Sequence, residues 1–271
     1  MIRLLHVIVA SALLMAAGLV SAHAASSSLV SVQTPRGAKQ AFILIKPDKS
    51  VASVILFAGG HGALGLKSAS SMAWGAGNFL VRSRALFASH GFMVAVIDAP
   101  SDHQQGMNGI FRMSRAHADD IGAVAAYLKK QATAPVWLIG TSMGTFSAAG
   151  GAIAATTIDG LVLSSTITRA KPDWKIAHSH RDGVASMPLP QVTVPTLIVS
   201  HRKDGCDITP AADAPKLTKR LTKAAKVDVV LLDGDSPPQS EPCEAKSQHG
   251  FLGIEAQAVN AMAAFIKANS K

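Results

Sequence analysis

Ser142 stands in a sequence pattern that suits covalent catalysis. Gly140 and Gly144 lie two positions away on either side, in the order Gly-Thr-Ser-Met-Gly. A serine on a very tight strand-to-helix turn has a strained backbone, and its neighbours at these two positions must be small. The apolar run 136–139 predicts the strand, and the small residues after Ser142 predict the helix. We therefore expect a nucleophile elbow, whose helix N-terminus directs free N–H groups at an oxyanion, with an incidental turn as the alternative.

Strands alternate with helices along most of the chain. The first two predicted strands form an antiparallel hairpin at a sheet edge. The alternation predicts an α/β fold with a mostly parallel central sheet and helices on both faces. The aperiodic segment 168–191 is too short for a large cap domain, so little or no cap is expected. The predicted strands are 29–33, 40–45, 54–57, 92–97, 136–139, 160–164, 196–200 and 227–232, and the predicted helices are 78–90, 114–131, 142–155, 211–225 and 254–267.

Two later strand ends carry an acid and a histidine. A serine hydroxyl needs a histidine to take its proton and a carboxylate to orient that histidine, and such groups sit at the carboxyl ends of parallel strands. Asp204 follows the strand 196–200, and Asp207 stays open as an alternative acid. His249 lies between the last predicted strand and the last predicted helix. We expect His201 to be a strand-end neighbour rather than the base.

At these residues the chain resembles the α/β-hydrolase superfamily, in particular its small esterases and dienelactone-hydrolase-like members. Ser142 matches the nucleophile of Gly-x-Ser-x-Gly, Asp204 follows a strand that begins Pro-Thr-Leu-Ile-Val, and His249 precedes the final helix in His-Gly-Phe. The order serine, aspartate, histidine along the chain is also that of the family. The resemblance covers roughly residues 30–268. It implies a catalytic triad of Ser142, Asp204 and His249.

An oxyanion hole requires two backbone N–H donors. Met143, directly after the nucleophile, is expected to supply one of them. The loop Gly59-Gly60-His61-Gly62 is expected to supply the other. This loop departs from the His-Gly-Gly-Gly order of many lipases and esterases, which leaves open whether Gly60 or His61 donates. An ordinary flexible turn is the alternative.

The first residues have the pattern of a secretory signal peptide. Arg3 precedes an apolar run over 4–20, and Ala22-His-Ala24 is a small-x-small cleavage site. We expect cleavage after Ala24, one α/β-hydrolase domain over 25–271, and a periplasmic or secreted protein. A single membrane anchor is the alternative, but the run is short for a bilayer span and no stop-transfer flank follows. No stable membrane insertion is expected after cleavage.

Cys206 and Cys243 are the two cysteines of the chain. An even pair in an exported protein predicts a disulfide, and free buried thiols are the alternative. A bridge would join the acid loop to the loop that leads to His249. We expect it to hold the acid and the base in register.

The chain is basic, with a formal net charge of +9. No basic stripe is interleaved with aromatic residues, so nucleic-acid binding is not expected. The basic segment 216–226 predicts a solvated face, and association with an acidic polymer or a membrane surface is the alternative. The histidines are scattered, and no tight pair is backed by carboxylates in metal-ligand order, so neither a metal nor a cofactor is expected. His178 and His180 are expected at the surface, or at the site entrance.

These residues predict a serine hydrolase that cleaves a small carboxylic ester through an acyl-enzyme. Hydrolysis of a peptide or of a lactone is the alternative within enzymes. A non-catalytic envelope binding protein on the same fold is the alternative of another class. No pattern in the sequence indicates the acyl chain length or the oligomeric state.

Overall fold

The computed structural model describes residues 26–154 and 157–270. The predicted signal peptide, residues 1–24, lies outside them. The described chain is built around one eight-stranded sheet. Its strands are β1 (Ser26–Gln33), β2 (Lys39–Lys46), β3 (Ala52–Phe57), β4 (Phe92–Ile97), β5 (Val136–Ser142), β6 (Gly160–Thr166), β7 (Thr196–His201) and β8 (Val227–Leu232).

The strands follow the order β1-β2-β4-β3-β5-β6-β7-β8 across the sheet. The strands from β3 to β8 run parallel, whereas β1 and β2 form an antiparallel hairpin whose second strand pairs with β4. The predicted edge hairpin and the mostly parallel sheet are therefore confirmed. Because parallel strands end at the same edge, the loops that follow β3, β5 and β7 meet there.

Helices cover both faces of the sheet, as predicted. They are α1 (Phe79–Arg82), α2 (Arg84–Ser89), α3 (Gly109–Arg112), α4 (Arg115–Gln131), α5 (Gly144–Ala154), α6 (Ala214–Arg220) and α7 (Glu255–Ala268). One apolar core lies between the sheet and α4, α5 and α6. A second core lies between the opposite face and α1, α2 and α7. Strands β3 and β4 are buried along their whole length, as expected for strands covered on both faces.

Two of the predicted helices are divided or shortened in the structure. The helix expected over 78–90 is divided into α1 and α2 at Ser83, whose buried backbone takes φ −90° and ψ 2°. The helix expected over 211–225 begins with a 3-10 turn and ends as α6 at Arg220. Beyond Leu221 the chain turns back to the sheet, where the Ala225 N–H donates to the Thr193 carbonyl at 2.8 Å. Local periodicity carries no information about such a contact.

The aperiodic segment 168–191 packs onto the body of the domain. It contains two short 3-10 turns, Gly183–Ser186 and Leu189–Gln191. Ile176 and Val184 are buried in the core beside α5. The described residues therefore contain no cap domain, in agreement with the prediction. Within the described ranges, no helix combines the length and the apolarity needed to cross a bilayer.

Candidate active site

Ser142 lies at the carboxyl end of β5 with a positive φ of 52°. Because this backbone cannot continue into a right-handed helix, α5 begins at Gly144 and not at Ser142 as predicted. A Cβ on Gly140 would lie 2.4 Å from the Gly144 carbonyl oxygen, and one on Gly144 would lie 2.2 Å from the Phe57 carbonyl oxygen. The turn thus admits only glycine at both positions. The Thr145 hydroxyl donates to the Ser142 carbonyl at 2.6 Å and closes the turn.

Asp204 and His249 form a buried pair. The Asp204 Oδ2 atom lies 3.1 Å from His249 Nδ1, and the two side chains are 0% and 5% exposed. Asp204 Oδ2 also accepts a hydrogen bond from the Thr209 hydroxyl at 3.0 Å, and Asp204 Oδ1 accepts one from the Cys206 N–H at 3.0 Å. The carboxylate is therefore oriented by three donors.

The contact with Asp204 favours one tautomer of His249. A carboxylate oxygen accepts hydrogen bonds, so this contact is satisfied when Nδ1 carries the proton and donates it to Asp204. Thr209 Oγ1 lies 3.0 Å from the same Nδ1 and contributes a second oxygen at that proton. The Nε2 atom of the neutral imidazole is left with a lone pair. A ring in this tautomer can take a proton from a neighbouring hydroxyl.

The alternative residues lie elsewhere. Asp207 is exposed and lies beside the sulfur atoms of Cys206 and Cys243. His201 is buried and accepts a hydrogen bond from the Lys203 N–H at 3.0 Å, and burial lowers the pKa of its imidazole. It is a strand-end neighbour, as expected.

His178 and His180 also lie away from the cavity that Ser142 lines. His178 is exposed, and His180 lies 2.9 Å from the Ser179 hydroxyl at a separate surface depression. Neither is among the residues that surround Ser142.

Ser142 and His249 line the same cavity, which has a volume of about 420 Å³. Its wall also includes Gly59, Gly60 and the partly exposed Trp74. The Ser142 hydroxyl forms no hydrogen bond with any described residue. It is therefore free to interact with a group that enters the cavity or with the histidine across it.

The two alternative donors of the glycine loop differ in whether they line this cavity. Gly60 lines it, whereas His61 does not and instead stacks on Trp74 with ring centroids 3.9 Å apart. The N–H groups of Gly60 and Met143 form no hydrogen bond with an acceptor in the described ranges. Of the two alternatives in the glycine loop, the geometry favours Gly60.

No known protein family matches the sequence, and neither does any curated protein. Solved structures do match. An esterase of Pyrococcus furiosus is 15% identical, with a TM-score of 0.60 over 90% of this chain and 93% of that one. A dienelactone hydrolase of Anabaena variabilis is 16% identical, with a TM-score of 0.58 over 92% of this chain and 100% of that one. A puromycin-hydrolyzing peptidase of Mycobacterium tuberculosis is 12% identical, with a TM-score of 0.65 over 92% of this chain and 40% of that one.

The chain has the α/β-hydrolase fold. At these identities the likeness concerns the architecture, and the role of each side chain must be argued from this chain's own geometry. The α/β-hydrolase fold explains why Ser142, Asp204 and His249 lie close together although they are far apart in the sequence, since each follows the carboxyl end of a strand.

The loop of His249 is held in this α/β-hydrolase fold by contacts that the sequence did not suggest. A Cβ on Gly250 would lie 1.9 Å from the Ala245 carbonyl oxygen, so the residue after the histidine must be glycine. The Arg82 guanidinium donates to the Gly250 carbonyl at 2.6 Å and to the Ala245 carbonyl at 3.2 Å. The Ser165 hydroxyl donates to the His249 carbonyl at 2.7 Å. These bonds fix the backbone on both sides of the imidazole.

The predicted disulfide is present. Cys206 and Cys243 are bonded across a sequence separation of 37 residues. Cys206 lies two residues after Asp204, and Cys243 lines the cavity that contains Ser142 and His249. The bond therefore joins the loop of the acid to the segment that leads into the loop of the histidine.

Proposed function

We propose that this protein is a serine hydrolase that cleaves a carboxylic ester through an acyl-enzyme. The observation that carries the proposal is the shared cavity of Ser142 and His249, with Asp204 hydrogen-bonded to the far side of the imidazole. This is the arrangement that makes a weakly nucleophilic hydroxyl reactive near neutral pH.

In the proposed reaction Ser142 Oγ attacks the ester carbonyl carbon while His249 Nε2 takes the hydroxyl proton. Asp204 stabilises the imidazolium through the bond to Nδ1. The tetrahedral intermediate collapses when His249 returns the proton to the departing alcohol, which leaves the acyl group on Ser142. Water, activated by the same histidine, then releases the carboxylic acid and regenerates the hydroxyl.

Two backbone donors are proposed to stabilise the oxyanion. Met143 supplies the first at the start of α5, where the positive end of the helix dipole adds to the effect. Gly60 supplies the second, supported by its place in the cavity wall and by its unused N–H. Loss of one such donor typically lowers the rate by roughly a hundredfold or more.

Ester hydrolysis is preferred to lactone or peptide hydrolysis as the first substrate class to test. The structural relatives include proteins named as an esterase, a dienelactone hydrolase and a peptidase, so the fold is compatible with all three. Turnover of p-nitrophenyl esters, a lactone and an aminoacyl amide by one preparation separates them. Greater turnover of the lactone or of the amide would overturn the preference.

We also propose that the protein acts in the periplasm or outside the cell. The signal-peptide pattern of the first 24 residues and the Cys206–Cys243 disulfide support this location, because disulfides persist in oxidising compartments. Fractionation of the expressing cells tests it. Recovery of the protein from the cytoplasm with residues 1–24 still attached would contradict it.

A covalent probe tests the reaction. Wild type should hydrolyse p-nitrophenyl esters and bind a fluorophosphonate probe, whereas Ser142→Ala should do neither. Ser179→Ala removes an exposed serine elsewhere and should retain both properties. A folded wild type that is neither labelled nor active would favour the non-catalytic binding protein instead.

A further inference from the structure

Arg112 is a fully buried cation at the end of α3 with a side chain only 1% exposed. No carboxylate among the described residues pairs with it. Burial lowers the pKa of its guanidinium to about 9, so it stays charged at neutral pH. Burying a charge without an opposite charge beside it is strongly unfavourable, so the neutral groups that bind the guanidinium matter.

The guanidinium of Arg112 is bound to the glycine loop. Its Nη2 atom donates to the Gly60 carbonyl at 3.1 Å and to the Ala58 carbonyl at 3.4 Å. These carbonyls belong to the two peptide groups on either side of the peptide that carries the Gly60 N–H. Because peptide groups are planar, fixing both neighbours restricts the direction of that N–H. A Cβ on Gly62 would lie 2.3 Å from Arg112 Nη2, so glycine at this position leaves room for the guanidinium.

The same guanidinium is bound to the helix of the nucleophile. Its Nη1 atom donates to the Ser147 hydroxyl on α5 at 2.9 Å, and Ser147 Oγ lies 3.0 Å from His117 Nε2. Burial and the nearby Arg112 charge lower the pKa of His117 to about 3. His117 is therefore neutral at pH 7, and the Ser147 hydroxyl can donate to it while it accepts from Arg112. Arg112 thus connects the loop of one proposed oxyanion donor to the helix that begins after the other.

We propose that Arg112 is a positioning residue that fixes the two halves of the oxyanion hole relative to each other. The inference rests on the proposed function, because it requires an oxyanion. A buried cation behind the hole also favours the negative charge that develops in the transition state, since the interior screens it weakly. Its effect falls on the transition state and not on binding of the neutral ester.

The test compares Arg112→Lys, Arg112→Met and the control Arg169→Met, which removes an exposed arginine bound to Asp213. We expect kcat to fall about tenfold in Arg112→Lys and about a hundredfold in Arg112→Met, with KM within about twofold. The inhibition constant of a boronic acid, which forms a tetrahedral adduct with Ser142, should rise in parallel with the loss of kcat. Arg169→Met should change none of these values.

A further variant shows whether loss of stability alone would lower kcat. Val124→Ala removes two buried methyl groups from α4 without touching the loop and should lower the unfolding temperature but not kcat per labelled serine. If Arg112→Met does not fold, Arg112→Lys carries the test. A normal kcat in folded Arg112→Lys, or equal losses in kcat and in substrate binding, overturns the proposal. An unlabelled, inactive wild type overturns the proposed function as well, whereas a labelled, active wild type with unaffected Arg112 variants overturns this inference alone.

A second cavity supports an independent inference about the substrate. It has a volume of about 260 Å³, and its wall combines the apolar residues Ile110, Met143, Trp174 and Ile176 with the polar residues Asn108, Asp173 and Lys175. Ser142 and Met143 are consecutive but line two different cavities. Ile110 at this cavity is 51% exposed, so its side chain is accessible to a bound substrate.

We propose that the second cavity holds the acyl chain of the ester, which makes the substrate an ester of an apolar carboxylic acid. This inference also rests on the proposed function. His249 lines the first cavity and must protonate the departing alcohol, so the alcohol leaves on that side. The acyl chain is then directed to the cavity beside Met143.

Esters with a constant alcohol and increasing acyl length provide the test. Ile110→Ser and Trp174→Ala should lower kcat/KM for an octanoyl ester about tenfold and change the value for an acetyl ester little, because only the longer chain has methylene groups to bury against these side chains. Val229→Ser replaces an apolar side chain that is 39% exposed on β8, away from both cavities, and should affect neither ester. Equal losses for both esters, or a preference that follows the alcohol instead, overturn the assignment. Each variant should still be labelled at Ser142 by the fluorophosphonate probe. Persistent labelling shows that the proposed function holds even where the assignment of the acyl chain fails.

Discussion

The two sides of Ser142 are held in place by different physical means. The acid–base side comprises Asp204, Thr209, His249 and the Cys206–Cys243 bond. The oxyanion side comprises the loop 58–62, Met143, and the buried cluster of Arg112, Ser147 and His117. A covalent bond crosses the first side, whereas the second depends on one buried cation and a neutral chain of hydrogen bonds. Redox conditions should therefore act on the first side, and protonation of a buried histidine on the second.

The largest effect is expected when the acid is neutralised. Asp204→Asn can no longer stabilise the Nδ1-protonated, positively charged imidazole, and kcat should fall by about 10³–10⁴-fold. Asp207→Asn is the matched control three residues further along the same loop and should keep activity within about twofold. Ester turnover of both variants checks the prediction. A larger loss in Asp207→Asn would assign the acid to Asp207.

Removal of the disulfide should have the next largest effect. A double replacement of Cys206 and Cys243 by alanine should lower the free energy of unfolding by about 4 kcal/mol, the value that chain entropy gives for a loop of 37 residues. Turnover should also fall several-fold below the unfolding transition, because the acid and histidine loops lose their connection. Urea unfolding and ester assays measure the two quantities. Unchanged turnover in the folded protein without the disulfide would show that the bond does not hold Asp204 and His249 in position.

His117 predicts how the stability of the oxyanion side depends on pH. Its pKa is lowered to about 3 in the folded protein, against 6.5 for an ordinary histidine, by burial and by the charge of Arg112. The unfolded chain therefore binds one more proton between these values, and stability is lost as the pH falls from about 6.5 towards 3. The glutamine of His117→Gln does not titrate. In this variant the free energy of unfolding should therefore change less steeply with pH, by about 1.4 kcal/mol per pH unit between pH 6 and pH 5. Unfolding free energies at the two pH values decide the point, and equal slopes for both proteins would contradict it.

Thr209 should give the smallest effect. Its hydroxyl donates to Asp204 Oδ2, and a hydrogen bond to a charged group contributes about 1.5–3 kcal/mol. Thr209→Val should lower kcat about tenfold, and Thr209→Ser should restore it. A Thr209→Val variant with full turnover at every pH would show that the bond from Cys206 N–H suffices to orient the carboxylate.

Local sequence patterns were enough to predict the strands of the sheet and most of the helices. The pattern Gly-x-Ser-x-Gly is visible in a short sequence window, although only Gly140 is constrained within the turn, by the Gly144 carbonyl, whereas Gly144 is constrained by the Phe57 carbonyl on β3. The apolar runs of β3 and β4 are likewise visible because strands covered on both faces exclude polar residues. These features leave a pattern in a short stretch of sequence, which is why they could be predicted.

The supporting contacts depend on residues far apart in the chain. Arg112 and Gly60 are separated by 52 positions, and Arg82 and Gly250 by 168 positions. Nothing in the local composition marks either arginine as buried or as a loop anchor. Thr209, five residues after Asp204, had a weak signal in its proximity to the acid. The choice between Gly60 and His61 also required the structure, because the two residues are adjacent in sequence and only Gly60 lines the cavity.

The three tryptophans occupy distinct environments. Trp74 is 40% exposed at the first cavity, Trp174 lines the second, and Trp137 is fully buried against Phe265. Each indole should have its own emission wavelength and its own accessibility to a quencher such as iodide. Single replacements by phenylalanine would assign the three signals. The protein thus carries a native fluorophore at each cavity and an internal reference in its interior, so occupancy of either cavity can be followed optically without any attached dye.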